Sequence, residues 1–393
     1  MRKSLAALLG ATALLAVSAS ANAQDTIKIG LIMTLSGQFA DAGIQMENGV
    51  KAYMKEHGDT VAGKKIEIIR KDSGGMAPDV AKRLAQELVV RDKVDIIAGF
   101  VLTPNALAAG DVSAEAKKFM VVMNAATSIV TAKSPYMVRS SVTLPQVAET
   151  FGTWAATKGK LKKSYTMVTD YGPGHDFEAG FQRAFKEAGG EISGSVRFPI
   201  ANPDFSAFIQ RAKDLNPESI MVFVPGGAQP AALGKAFAER GVDPAKTKIL
   251  GSGETTSEQA LKSMGDASLG IITAWHYEYT DKLAKNVAFV KLFNEMHKRN
   301  PDFFSIGGYD GMHIIYESLK KSGGKTDGDS LIAAAKGLKW ESPRGPMSID
   351  PETRDVVQTI YIRKVEKVNG EPQNVPFDKI DNVKDPVKAR MPK

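Results

Sequence analysis

Apolar residues fall along this chain in two alternating rhythms: short continuous runs, and stripes in which one recurs every three or four positions. The first reads as a buried strand and the second as an amphipathic helix. The run Ile27-Lys28-Ile29-Gly30-Leu31-Ile32-Met33 leads into a helical stripe through Ile44, Val50, Tyr53 and Met54. Ile66 to Ile69 and a turn at Ser73-Gly74-Gly75 then precede a helix from Pro78, whose Val80, Leu84 and Leu88 repeat every four residues. Val94 to Ala98, a helix from Pro104, and Phe119 to Met123 continue the series. Repeated βα units of this kind build a parallel sheet covered on both faces.

A second series with the same logic begins at Tyr165 to Thr169 and enters a helix carrying Phe177, Phe181 and Phe185, which read as core. It runs on through Ile192 to Phe198, a helix with Phe205, Phe208, Ile209 and Leu215, the run Ile220 to Val224, and a helix around Leu233 and Phe237. After Ile271 to Thr273 come helices through Val287 and Phe293 and through Met312 and Leu319. Arg344 to Ile349 and Gln358 to Ile362 read as a late β-hairpin turning at Asp350-Pro351-Glu352-Thr353. The fold class expected is therefore α/β, with two lobes of similar plan.

The N-terminus adds a location. Arg2 and Lys3 precede a Leu/Ala-rich run from Leu5 to Val17, followed by Ala21-Asn22-Ala23. That order is a secretory signal peptide with cleavage near Ala23, and the run is shorter than the about 20 residues a membrane span needs. With no cysteine in the chain, a lipoprotein anchor, disulfides and thiol nucleophiles are excluded. Removing residues 1–23 leaves 370 residues, enough for two large cores, and takes the net charge from +7 to +5. The charges are interspersed, which makes no case for nucleic acid.

In open α/β sheets, ligands meet the loops beyond the carboxyl ends of the strands. Three such loops carry candidate chemistry. Ile96 to Leu102 leads to Thr103-Pro104, where Thr is a good N-cap and Pro a good first helical residue. Free amides and a hydroxyl there suit a carboxylate, and Thr103 equally serves as a cap for its own helix. Asn124-Ala125-Ala126-Thr127-Ser128 combines small residues with hydroxyl donors, or is an ordinary polar turn. Gly251-Ser252-Gly253-Glu254 places one carboxylate in a Gly-rich connection, facing either a ligand ammonium or solvent at a helix start. Tyr171, at another strand end, is a lid contact or a turn packing residue. The five histidines are scattered, and only His276, with Tyr277, lies near the apparent lobe boundary. The chain has no P-loop, G-x-S-x-G, H-E-x-x-H or clustered metal ligands, so neither an enzyme nor a cofactor is expected.

The signal peptide, Ile27-Lys28-Ile29-Gly30 with Leu35-Ser36-Gly37, Asn124-Ala125-Ala126-Thr127, Asp170-Tyr171-Gly172 and Phe303 with Gly308-Tyr309-Asp310 together resemble the bacterial leucine/isoleucine/valine-binding protein family. The likeness spans nearly all of the mature chain. It implies a type I periplasmic binding fold: two Rossmann-like lobes joined by three crossovers, placed near Ser141, Ala274 and Pro346. Lobe 1 is then 24–141 with 275–346, and lobe 2 is 142–274 with 347–393. The resemblance further implies a monomeric periplasmic receptor that captures a small solute by hinge closure and delivers it to an inner-membrane ABC permease. Carried over by residue, Thr103 matches the hydroxyl ligand of an α-carboxylate, Ala125 and Thr127 the small-residue loop contacts, and Glu254 the acid that binds an α-ammonium.

The default solute is thus an aliphatic amino acid. Three departures bear on it: the aromatic usual after Ser-Gly falls within Phe39-Ala40-Asp41-Ala42, Ala228 replaces another aromatic, and Pro104 removes a donor. An aromatic or other organic acid, or an amide, is the alternative solute, and a sensory receptor without a transporter is the alternative role.

Overall fold

The computed structural model describes residues 26–201 and 203–390, so the signal peptide lies outside the described residues. In chain order the first sheet and its helices are β1 (Thr26–Met33), α1 (Ala40–His57), β2 (Thr60–Val61), β3 (Lys64–Asp72), α2 (Pro78–Val90), β4 (Ile96–Gly99), α3 (Thr103–Glu115), β5 (Phe119–Val122) and β6 (Met137–Arg139). The strands order as β2-β3-β1-β4-β5-β6, parallel apart from the β2/β3 pair. β4 and β5 are buried along their whole length, as a sheet covered on both faces requires. Leu84 and Leu88 of α2 and Ala106, Ala109 and Val112 of α3 cover one face.

The second series supplies α4 (Leu144–Thr157), β7 (Lys163–Thr169), α5 (Gly172–Glu187), β8 (Glu191–Phe198), α6 (Phe205–Asp214), β9 (Ser219–Phe223), α7 (Gln229–Glu239), β10 (Lys248–Ser252), α8 (Glu258–Met264) and β11 (Ile272–Trp275). The chain ends with α9 (Ala284–His297), α10 (Phe303–Lys321), α11 (Gly328–Ala335), β12 (Lys339–Ser342), β13 (Gly345–Ile349), β14 (Val356–Val368) and β15 (Glu371–Val383). The nine-stranded sheet runs β12-β13-β14-β11-β10-β9-β7-β8, with β15 on β14. Phe177, Phe181 and Phe185 are fully buried, and Phe151 of α4 meets Phe181 edge-on at 6.1 Å. α10 returns to the first lobe and packs on α1, where the backbones approach so closely that a Cβ on Gly308 would lie 2.1 Å from the Met46 carbonyl oxygen.

The late hairpin forms as expected, with Ile349 paired to Val356. Several elements fall outside the periodicity reading. α4 carries Leu144, Val147, Phe151 and Trp154 at helical spacing behind a Thr143/Gln146 capping box. β15 has no apolar run and contains Pro372 and Pro376, which an edge strand tolerates because one side needs no ladder donors.

Where the chain passes between the sheets, buried arginines hold it. Arg139, at the end of β6, pairs with Asp355 at 3.0 Å. Arg344, before β13, pairs with Asp310 at 2.8 Å, donates to Gln358 and also reaches the Ser140 carbonyl. Arg363 of β14 pairs with Glu278 at 3.1 Å and donates to Thr273 of β11. Each pair is almost wholly shut off from water, so removing one partner strands a charge at a cost of about 3–5 kcal/mol.

Candidate functional site

Each lobe reverses its strand order once. In the first, β1 lies between β3 and β4; in the second, β7 lies between β8 and β9. Such switch points leave a crevice at the carboxyl ends of the strands, and here the two crevices face each other. The resulting pocket is lined by residues following β1, β4 and β5 on one side and β7, β9 and β10 on the other.

On the first lobe, Thr103 lines the pocket. Its expected capping role does not occur. The helix begins one residue earlier than the Thr-Pro signal suggests, with Leu102 at the N-cap and Thr103 already in the first turn, from where its hydroxyl makes no capping bond. The hydroxyl instead accepts from Thr127 Oγ1 at 3.0 Å and from the Thr127 amide at 3.4 Å. The two threonines are therefore brought together, although Thr127 stands behind the wall rather than in it.

Ala125 is placed differently. Its amide donates to the Phe100 carbonyl at 3.0 Å, its carbonyl accepts from Arg139 Nη1 at 2.8 Å, and its methyl packs into the core behind the sheet. The residue of this loop that lines the pocket is Ala126, one position on. Arg139 also donates to the Thr127 carbonyl at 2.9 Å. It is thus the post on which the loop is hung, and nothing in its sequence surroundings marks it.

On the second lobe, Tyr171 sits at the N-cap position of α5 and Glu254 follows β10, and both line the pocket. Glu254 is buried, which removes the reading of a solvated helix-start acid. Its Oε2 accepts from the Gly226 amide at 2.8 Å. Burial raises its carboxyl pKa to about 7, against the opposing pull of that one bond. Burial, and then the neighbouring Glu254, push the Tyr171 phenol well above its usual range, so it stays a neutral hydroxyl.

Between these polar ends the walls are apolar: Phe39, Leu102, Leu144, Pro173, Pro225 and Phe304. Phe39 and Phe304 were not among the candidate site residues. Phe39 belongs to a segment recognisable as aromatic, whereas Phe304 reaches the site only because α10 returns to the first lobe. His276 is fully buried beside Trp275, at 5.1 Å between ring centres, and does not line the pocket. Tyr277 donates to Asn286 at 3.0 Å and borders a separate cavity.

The lobes touch across the crevice. The Ser128 amide donates to Asp176 at 2.9 Å and its hydroxyl to Asp385 at 2.8 Å. Among the described residues, no group of three His, Cys, Asp or Glu side chains is arranged to hold a metal ion.

A family model described as periplasmic binding protein matches residues 26–371. The Leu/Ile/Val-binding protein homolog 6 of Brucella melitensis is 40% identical over 366 residues, covering 92% of this chain and 93% of that protein. Among solved structures, a solute binding protein of an ABC transporter from Rhodopseudomonas palustris BisB5, in complex with 3,4-dihydroxybenzoic acid, is 53% identical. It superposes with a TM-score of 0.89, covering 93% of this chain and 100% of that one. The counterpart from Rhodopseudomonas palustris HaA2, in complex with p-hydroxybenzoic acid, is 39% identical with a TM-score of 0.90 over the same shares.

Proposed function

The chain belongs to the periplasmic binding protein family, alongside the Leu/Ile/Val-binding proteins, and on that premise we propose that it captures an aromatic carboxylic acid for an ABC-type importer. The observation that carries this reading is the apolar, partly aromatic lining between two polar ends. Phe39 and Phe304 face a space bounded by Leu102, Leu144 and two prolines, a lining suited to a planar ring. The carboxylate sits at the Thr103 end, where the Thr103 hydroxyl hydrogen and the N-terminal dipole of α3, about 0.3–1 kcal/mol, favour it although Pro104 supplies no N–H.

The amino-acid default gives way to the alternative solute. The two Rhodopseudomonas relatives solved with hydroxylated benzoic acids support this choice. We further assign residues 1–23 to a cleaved export signal, and the lobes to 24–141 with 275–346 and 142–274 with 347–393. Solute contacts from both lobes favour the closed arrangement, which is how a binding site drives a hinge.

Isothermal titration of the mature protein tests the proposal. 4-Hydroxybenzoate is expected to bind with a Kd of about 1 µM or tighter, about −8 kcal/mol, while leucine gives no heat at millimolar concentration. Tight leucine binding with no response to any benzoate would overturn it.

A further inference from the structure

We infer that the Glu254 end of the pocket is a hydroxyl-reading subsite, which selects a benzoic acid carrying a ring hydroxyl opposite its carboxylate over the unsubstituted acid. This rests on the aromatic-acid reading above and adds the substituent pattern to it.

Glu254 uses Oε2 for the Gly226 amide, and among the described residues Oε1 takes no hydrogen bond. No Lys or Arg pairs with this carboxyl among those residues, and the buried arginines nearest the crossovers are committed to Asp355, Asp310 and Glu278. Tyr171, whose hydroxyl likewise makes no hydrogen bond among the described residues, stands beside Glu254 in the same wall. The second-lobe end of the pocket therefore holds a carboxyl oxygen and a phenol hydroxyl that have no hydrogen-bond partner among the described residues. A ligand carboxylate there would have to keep Glu254 protonated, at a cost that grows as pH rises, so the Thr103 end suits it better.

A ligand whose carboxylate is fixed at Thr103 and whose ring fills the apolar space presents its far edge to Glu254. A hydroxyl there donates to Oε1 and can accept from Tyr171, whereas a hydrogen or methyl there shuts both groups off from water without a partner. Leaving such a group unpaired costs about 1–3 kcal/mol, a preference of roughly tenfold to a hundredfold. Because Thr103 and Glu254 belong to opposite lobes, the hydroxyl contact is made only when the cleft is closed. Specificity and closure are then one event.

Titration calorimetry on the mature, unmodified protein provides the test, with 4-hydroxybenzoate, 2-hydroxybenzoate, 4-methylbenzoate and benzoate as probes. 4-Hydroxybenzoate is expected to bind about tenfold or more tightly than each of the other three. The ratio of benzoate to 4-hydroxybenzoate dissociation constants is expected to collapse to within about threefold in Glu254→Leu. Equal affinities in the unmodified protein overturn the subsite, as does a preference that persists undiminished in Glu254→Leu. Failure of all four acids to bind instead removes the aromatic-acid reading on which the subsite rests. The comparison of acids on the unmodified protein decides the matter even if the variant does not fold.

Discussion

Glu254 holds a proton in the folded protein at pH values where the unfolded chain has released it, because burial raises its pKa from 4.5 to about 7. Between those values the folded state binds more protons than the unfolded one, so this residue's contribution to stability falls as pH rises from 4.5 to 7. The loss amounts to about 3 kcal/mol at most. Ligand-free Glu254→Gln, which keeps an acceptor for the Gly226 amide, should therefore exceed the parent in urea stability at pH 8 and converge with it below pH 4.5. Benzoate brings a second negative charge and no donor, so its affinity should decline as pH rises through 7 in the parent and stay level in Glu254→Gln. Calorimetry between pH 6 and 8.5 compares the two proteins, and a benzoate affinity that does not fall with pH in the parent would contradict this account of Glu254. The sequence located Thr103, Tyr171 and Glu254 because each follows a recognisable strand end. The resemblance offered the Ala125 backbone as a contact; its amide and carbonyl are engaged with Phe100 and Arg139, and Ala126 is the residue of that loop lining the pocket. Arg139 and Phe304 were invisible in the sequence, because their roles depend on partners far along the chain.

At the scale of elements, the glycine after β9 links local geometry to motion. Gly227 has φ +88°, and a Cβ there would lie 2.6 Å from the carbonyl oxygen of Gln38, which belongs to the other side of the cleft. Gly227→Ala should thus carry both backbone strain of about 1–3 kcal/mol and a clash that exists only when the lobes are together. The expected result is about tenfold or greater loss of affinity for the aromatic acid, with a larger radius of gyration by X-ray scattering in the presence of ligand. Unchanged affinity and scattering would show that the contact does not govern closure. The regular βα units were legible, since their strands are buried on both faces and their helices carry one apolar stripe. β15 was not, because a strand on the sheet margin needs little apolar content, and its identity comes from pairing with β14.

The whole molecule repeats one construction twice, and its site exists only where the two copies meet. Neither sheet alone supplies both Thr103 and Glu254 to the pocket. The buried Arg139, Arg344 and Arg363 tie the segments that run between the sheets to Asp355, Asp310 and Glu278. Family membership was readable from the order of motifs along the chain, whereas the solute was not. Solute choice depends on which walls converge, and Phe39 and Phe304 converge only in three dimensions. The most direct measurement is a crystal structure of the mature protein grown with 4-hydroxybenzoate. The predicted result is a ring between Phe39 and Phe304, its carboxylate on Thr103 and its hydroxyl on Glu254. A ligand with its carboxylate against Glu254, or bound outside this cleft, would contradict the account.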